Sequence, residues 1–576
     1  MDHLMVFRST RALERYGMKV SEEGSALARR KMELDEKYDV IVIGSGPNGL
    51  AIGAYLAKAG VKVAVLEART ETGGGLQTEA ITLPDFWHNT HSIYHMMVDY
   101  APVYPDFKLE ERNIRYIWPD LQFAMPLRDG RCLCLYKDVE KTCNSIAQFS
   151  KSDAEAYREF RAKLDRYMEE FLGPATYSPA VPILEQLPIL ESSEIGREIA
   201  TIAEKPALEI VNDIFESEQV RTMMLYLACH WGIEYDASGV GYMTLINLSR
   251  STNYRLLERG SHVLNAELNK LIHEDGGRVV MKCLVSKIIV KDGVATGVEL
   301  DDGTVVEATR AVVSTVDPHQ TFLKMVGEQN LDRDFVDMIE NWQWEDWSLF
   351  TAHLALDEPP HFKAAESNPD IDKACVYILG YETQQDLIDH WEAIKKGEIT
   401  DKPGFNACFP SVHDPTQSPG FKAGQCTGLI SEMAPYNIPG GSEAWLSYKF
   451  REEVAEKRIA VLREYAPNLT PDKVLWVTAL TPTDTANKLI DMVEGSIKQG
   501  AYSALQMGYL RPNQECSQNR TPVKNLYVGG SSCYPGGMIN FGPGYLAANA
   551  VAEDLGITKW WSEPPSITKA REAGLL

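Results

Sequence analysis

Basic tracts, a paired cysteine framework and clean apolar runs are all missing from this 576-residue sequence. Asp and Glu number 81 against 57 Lys and Arg, a formal charge of −24, and the cations nowhere cluster. Such a surface would repel the phosphate backbone of a nucleic acid almost everywhere, so no nucleic-acid partner is expected. The same charge opposes broad adsorption to anionic lipid, while leaving room for peripheral membrane contact through a local apolar patch. Ten cysteines in no paired pattern suit a reducing compartment rather than a disulfide scaffold. Residues 1–37 hold no apolar run of signal-peptide length, which makes the cytoplasm the expected address. Val40–Ala57 and Asn525–Ala552 are uncharged, but Gly, Pro, Asn and Ser punctuate both too densely for a lipid-exposed helix. His91 and His95 form no H-E-x-x-H motif, Cys132 and Cys134 share one strand face, and no second cysteine pair stands at zinc spacing, so no metal site is expected. A serine nucleophile elbow and a phosphate-loop lysine are missing as well.

What is present describes a folded globular protein. Hydrophobic residues make up 44%, Gly (42) and Pro (30) stand at ordinary levels, and the length suits two to four domains, interrupted ones included. Tyr38–Ile43 is a β-branched run of buried-strand length, followed by Gly44-Ser45-Gly46-Pro47-Asn48-Gly49 and a small-residue helical stretch, Leu50–Ala59. Strand, tight turn and helix in this order form a dinucleotide-binding unit. Gly44 permits the turn, Gly46 lets a pyrophosphate approach the backbone, Gly49 and Gly53 let helix and strand pack closely, and the anion rests on the helix amino end. After Gly60, Val61–Leu66 reads as a second strand ending in Glu67, where a carboxylate accepts hydrogen bonds from ribose hydroxyls and repels a 2′-phosphate.

Two further glycine clusters follow. Ala68-Arg69-Thr70-Glu71-Thr72-Gly73-Gly74-Gly75-Leu76-Gln77-Thr78 comes directly after Glu67. Far downstream, Asn525–Ser532 is a short strand running through Gly529, Gly530 and Ser531 into Tyr534-Pro535-Gly536-Gly537-Met538-Ile539-Asn540-Phe541-Gly542, with a helical run at Tyr545–Asp554. This is again strand, glycine loop and helix, offering backbone N–H groups to an anion or an electron-rich ring edge. Between the ends, a strand pattern runs over Val279–Val290, with hairpin turns at Asp292-Gly293 and Asp301-Asp302-Gly303.

These elements resemble the flavin-dependent amine oxidase superfamily. Leu83-Pro84-Asp85-Phe86-Trp87-His88-Asn89-Thr90-His91-Ser92-Ile93-Tyr94-His95 and Ser532–Gly537 are similar to motifs of its phytoene desaturase and carotenoid isomerase-like branch, which includes relatives named after pyridine nucleotide-disulphide oxidoreductase domains. The sequence departs from that branch at Asp85, Asn89, Met96, Gln499 and Tyr534, where relatives usually carry Gly, Asp, Pro, His and His. The resemblance implies FAD as cofactor. Gly44–Gly49, Glu67, Ala68, Arg69, Gly74, Gly75, Leu76 and Gln77 would then serve its phosphates, ribose and the passage toward the flavin ring, and Val285 would make a backbone contact to adenine. Gly530, Ser531, Met538, Ile539 and Asn540 would meet the pyrophosphate, ribitol and ring edge. By position, His91, Tyr94, His95 and Tyr534 would enter the region facing the flavin, as candidates for the group that takes up a proton.

The resulting fold class is α/β, with an α+β substrate domain. Residues 1–37 form a helical extension, either a solvated arm or a segment that packs on a second copy of the chain. A discontinuous FAD domain takes 38–110, 251–325 and 521–557; a substrate domain takes 111–250 and 326–520; and 558–576 form a tail. Aromatic residues at Trp342, Trp344, Trp347, Phe350, Tyr226, Trp231, Tyr235 and Tyr242 read more readily as core than as pocket. The expected function is FAD-dependent dehydrogenation of an apolar isoprenoid, terpenoid or alicyclic substrate, by hydride transfer to flavin N5, with electrons leaving to a quinone, oxygen or another acceptor. A redox-neutral isomerase, hydratase or saturase and a non-catalytic FAD-binding subunit are the alternatives.

Overall fold

A computed structural model describes residues 34–420 and 424–576. The expected helical extension falls, apart from residues 34–37, outside the described residues.

Two seven-stranded sheets organise the chain. The first begins with β1 (Lys37–Ile43), α1 (Pro47–Lys58) and β2 (Val63–Leu66), a parallel strand–helix–strand unit of the kind the turn chemistry specifies. It is completed by β3 (Arg278–Val280), β4 (Val285–Lys291), β5 (Val294–Leu300), β6 (Val305–Ser314) and β7 (Leu526–Val528), in the order β3-β2-β1-β6-β5-β4 with β7 alongside β6. β3, β2, β1, β6 and β7 run parallel, and β4-β5-β6 is an antiparallel meander closed by the two Asp–Gly turns. α2 (His262–Glu274) and α3 (Gly542–Asp554) pack against α1. A Cβ on Gly53 would collide with Val65 and come within 3.0 Å of Ile272, and one on Gly544 would lie 2.7 Å from the Asn48 carbonyl oxygen. Small residues are thus what lets the three helices close over the sheet.

The continuous strand expected over Val279–Val290 is interrupted. β3 ends at Val280, Lys282 turns through φ 58°, and the Lys282 and Cys283 amides donate to the Arg69 and Glu67 carbonyls at 2.9 and 2.8 Å. The chain thereby crosses the carboxyl end of β2 instead of extending past it. This detour carries residues 283–285 to the open edge where the parallel strands end.

The second sheet draws on Leu121–Pro126, Cys132–Tyr136, Trp347–Leu356, Val376–Leu379, Phe405–Cys408, Cys426–Pro435 and Val474–Leu480. Helices between residues 139 and 250 flank it. Its densest buried anchor is Arg458, whose guanidinium donates twice to Glu432 at 2.5 and 2.8 Å. Both are removed from water, so the two hydrogen bonds are what make the buried charges tolerable. Among the described residues, no helix is long and apolar enough to cross a membrane, and no group of three His, Cys, Asp or Glu side chains is placed to hold a metal ion.

Candidate cofactor cavity

The carboxyl ends of β1, β2 and β6 open into a cavity that runs from the Gly44–Asn48 turn past Glu67 and Val285 to Ser531 and Met538–Asn540. Position follows from topology: in an open parallel sheet the strands' carboxyl ends leave a crevice at the point where strand order reverses. Gly44 takes φ 95°, a conformation that a side chain would strain, and so turns the chain sharply off β1. Gly46 precedes α1, and among the described residues no side chain caps that helix start, which leaves its first amides open toward the cavity. A Cβ on Gly46 would meet nothing within 4 Å, whereas one on Gly74 would lie 2.9 Å from the Gly46 Cα. The two amino-terminal glycine clusters therefore abut.

Thr315, at the end of β6, ties in the third piece of chain. Its hydroxyl donates to the Ile43 carbonyl at 2.8 Å, and it abuts both Gly44 and Gly530. Beyond it the loop before α3 holds Met538, Ile539 and Phe541 at φ 82°, 49° and 59°. Non-glycine residues in that region cost on the order of 1–3 kcal/mol each, and such costs collect where a loop must present its backbone to a ligand.

Every residue expected to bind cofactor lines this cavity except Gly49, Leu76, Gln77 and Gly530. These four stand one layer back. A Cβ on Gly49 would strike the Gly44 carbonyl, and one on Gly530 the Thr315 carbonyl, so both glycines serve close packing of the walls. Leu76 lies wholly in the core. Gln77 donates to the Thr72 carbonyl at 3.0 Å and accepts from the Ser261 hydroxyl at its own carbonyl, holding the glycine cluster in shape.

The polar groups that remain suit an adenine dinucleotide. Glu67 accepts from the Ser45 hydroxyl at 2.6 Å, the Ser45 amide at 3.1 Å and the Arg69 amide at 2.9 Å. Three bonds orient the carboxylate and leave acceptor capacity for ribose hydroxyls. Arg69 Nη1 is buried with no hydrogen-bond partner among the described residues, an orphan donor at the cavity wall. Asn540 accepts from the Gly542 amide at 2.8 Å, and Asn48 from the Gly544 amide at 3.2 Å. The amino end of α3 is thus partly satisfied by protein, unlike that of α1. A cradle of open amides, an unpaired guanidinium nitrogen and a hydroxyl-binding carboxylate fit FAD.

Sequence reasoning missed Asp491 as part of the wall and gave Gln499 no part in binding. Gln499 donates to the Asp491 carboxylate at 2.5 Å and accepts from the Ser532 amide at 3.2 Å. Burial first, then the carboxylate of Asp317, pushes Asp491 up to about 7. Nothing in the pattern around Asp491 marks it, whereas Gln499 was visible as a departure from the branch motif.

None of the four proton-transfer candidates lines the cavity itself. His95 is wholly buried, its Nε2 2.8 Å from the Ser92 hydroxyl and its Nδ1 2.6 Å from the Tyr116 hydroxyl. Both ring nitrogens are spent on pinning Tyr94–His95 beside Tyr116–Ile117 and Arg255–Leu257, which differs from the expected reactive position. Tyr534 donates to the Ala175 carbonyl at 2.7 Å. His91 and Tyr94 differ from these two. His91 Nε2 and Tyr94 Oη are buried without partners among the described residues, and the His91 Cβ would lie 3.9 Å from a Cβ on Gly75. Burial, then the charge of Lys488, pushes His91 down to about 3, so its ring is neutral. Tyr94 packs against Trp231 and Tyr254 with centroids 6.3 and 5.3 Å apart, and desolvation pushes its phenol well up. Of the aromatic group read as core, Phe350, Tyr226, Trp342 and Trp347 are buried and Trp231, Tyr235 and Tyr242 pack against the main core, while Trp342, Trp344 and Trp347 also line a second cavity.

Comparison with known proteins bears on this geometry. The family described as flavin containing amine oxidoreductase matches residues 48–402. One of the subunits of limonene dehydrogenase from Castellaniella defragrans is 37% identical over 548 residues, covering 93% of this chain and 98% of that protein. A lycopene-forming phytoene desaturase of Paracoccus sp. is 24% identical, covering 89% and 96%. The crystal structure of an oxidoreductase from Methanosarcina mazei superposes with a TM-score of 0.57 at 18% identity, covering 90% of this chain and 100% of that one, a likeness of fold.

Proposed function

Because the chain belongs to the flavin containing amine oxidoreductase family and is an FAD-dependent oxidoreductase, we propose that it dehydrogenates an apolar terpenoid of monoterpene kind. The observation that carries the substrate class is the 37% identity, over nearly the full length of both chains, to the limonene dehydrogenase polypeptide of Castellaniella defragrans. The apolar, aromatic surroundings of Tyr94 agree with such a molecule.

In this reading Glu67 holds the ribose, the open amides before α1 and Arg69 hold the diphosphate, and Gly74, Gly75, Ser531 and Met538–Asn540 flank the ring. Bound FAD supplies a two-electron acceptor for hydride from a substrate C–H. The chain's own work is to place that bond, keep water out and receive the proton. His91 Nε2, buried, unpartnered and beside Gly75, is placed to take up that proton as a neutral imidazole, and Tyr94 Oη, whose phenol desolvation keeps protonated, to orient substrate. His95 and Tyr534 act as supports. The relative's name as a subunit makes a partner chain the expected working form, and Ile183, Leu184 and Leu187, exposed on one helix, offer an apolar surface for partner or peripheral membrane contact.

Anaerobic addition of limonene to the FAD-loaded protein tests the reading. Bleaching of the flavin is expected. Turnover without net bleaching would establish the isomerase alternative, and no response to any cyclic monoterpene, with or without a co-purified partner chain, would favour a non-catalytic subunit.

A further inference from the structure

His91 stands beside a charged pair that the chemistry above does not use. Glu79 ends the short strand Thr78–Glu79, which pairs antiparallel with His88–Asn89 so that Glu79 lies opposite His88. Its carboxylate accepts from the Thr90 hydroxyl at 2.5 Å and from the Lys488 ammonium. Lys488, the last residue of the helix Pro482–Lys488, also donates to the Thr90 hydroxyl at 3.2 Å. The pair thus grips the residue directly before His91. Both charges are near enough to act on the His91 ring, and His91 acts in turn on Glu79. The Glu79 and Lys488 side chains are 25% and 23% exposed, so the pair reaches solvent, whereas His91 Nε2 is buried.

Dehydrogenation releases a proton as well as a hydride, and a buried imidazole that has taken up the proton must lose it before the next turnover. Of the charged groups acting on His91, Lys488 and Arg69 are cations with no capacity to accept it. His353 feels the charge of His91, but it is itself buried and desolvation pushes it well down, which makes it a dead end. Glu79 alone among these groups joins an acceptor oxygen to contact with water. We propose that Glu79 is the outlet for the dehydrogenation proton, receiving it from His91 and handing it to solvent while Lys488 and Thr90 hold the carboxylate in place. The inference rests on the dehydrogenase reading above, in which His91 is the first acceptor. As the second substrate C–H bond breaks, its electron pair becomes the new C=C bond, and the proton passes to His91 Nε2, then to a Glu79 oxygen, then to water; the hydride leaves separately to the cofactor. Burial raises Glu79, but the hydrogen bonds from Lys488 and Thr90 outweigh it and hold the carboxyl below its ordinary 4.5. Burial, then Lys488, pushes His91 down to about 3. Two bases so alike pass the proton without trapping it, and both release it to neutral water.

The test follows the proton itself. In FAD-loaded protein with isotope-labelled histidine rings, nuclear magnetic resonance measures exchange of the His91 ring proton with water, the signal being assigned by its loss in His91→Gln. Glu79→Gln is expected to slow that exchange at least about tenfold, and Glu79→Asp to restore most of it. Lys488→Met breaks the same contact between distant segments but keeps the carboxylate, and is expected to slow exchange far less than Glu79→Gln does. With limonene added anaerobically and a pH-indicator dye present, Glu79→Gln is expected to delay the proton's arrival at the dye, relative to bleaching, at least about tenfold. Exchange indifferent to Glu79→Gln, or slowed equally by Lys488→Met, would overturn the proposal and leave the pair as a tie between segments. So would a proton that still reaches the dye in step with bleaching in Glu79→Gln. The exchange measurement needs no substrate, so a wild type that limonene fails to bleach would count against the terpene assignment alone.

Discussion

The cofactor cavity and the packed aromatic cluster around Tyr94 are built on opposite plans. The first is made by backbone: open amides, glycines without clearance for a Cβ, and a loop held at positive φ. The second is made by side chains, most of whose polar atoms are already spent on one another, as in the Ser92–His95–Tyr116–Tyr104 chain. A backbone site tolerates few substitutions and so constrains sequence sharply. A side-chain cluster can be re-cut for a new substrate while its scaffold stays put.

The comparison breaks most visibly at Gly46. Gly46→Val puts a side chain where the diphosphate is proposed to rest, and FAD affinity is expected to fall at least ~100-fold, about 2.7 kcal/mol, in a chain that remains folded because a Cβ there touches no protein atom within 4 Å. Equilibrium titration with FAD and circular dichroism check both halves. In the aromatic cluster, Tyr94→Phe is expected to slow anaerobic bleaching by substrate ~100-fold with FAD retained, whereas His95→Gln is expected to cost roughly 1–3 kcal/mol of stability through the polar groups it orphans and to leave the bleaching rate of folded protein nearly unchanged. Comparable loss of rate in both would erase the distinction between a reactive and a supporting side chain.

A subtler prediction concerns Asp491, whose carboxyl lies in the cofactor wall with its affinity for a proton raised to about 7. In the folded, FAD-free chain it binds more protons than when unfolded between its ordinary value near 3.8 and about 7. Its contribution to stability therefore declines as pH rises through that window. An anionic dinucleotide should also bind more tightly at pH 6 than at pH 8, by a few-fold, and Asp491→Asn should flatten that dependence. An unchanged pH profile in the variant would remove Asp491 from the account. Smallest of all, Tyr534→Phe loses one hydrogen bond to the Ala175 carbonyl, worth roughly 1 kcal/mol, visible as a slight drop in melting temperature.

The same contrast explains what the sequence disclosed. Gly44 and Gly74 were legible because only glycine meets their turn or clearance, Gly46 because it stands before the helix start where a diphosphate would approach, and Glu67 because it stands at the end of a recognisable strand. The crossing at residues 281–284 was not, since apolar Met281 and Leu284 continue the strand pattern while the backbone bonds of Lys282 and Cys283 to Arg69 and Glu67 break it. Asp491 was invisible because its role depends on burial beside Asp317, a partner far away in sequence. For His91, Tyr94, His95 and Tyr534 the sequence offered position alone. Which of them keeps a free polar atom is decided by partners such as Tyr116 and Ala175 that no local motif encodes.

The most direct test of the central claim, that three separated stretches of chain close around FAD mainly through main-chain groups, is the FAD content of purified protein after reconstitution and acid release. One FAD per chain for the wild type is the predicted result. A protein that remains colourless with excess FAD would contradict the account.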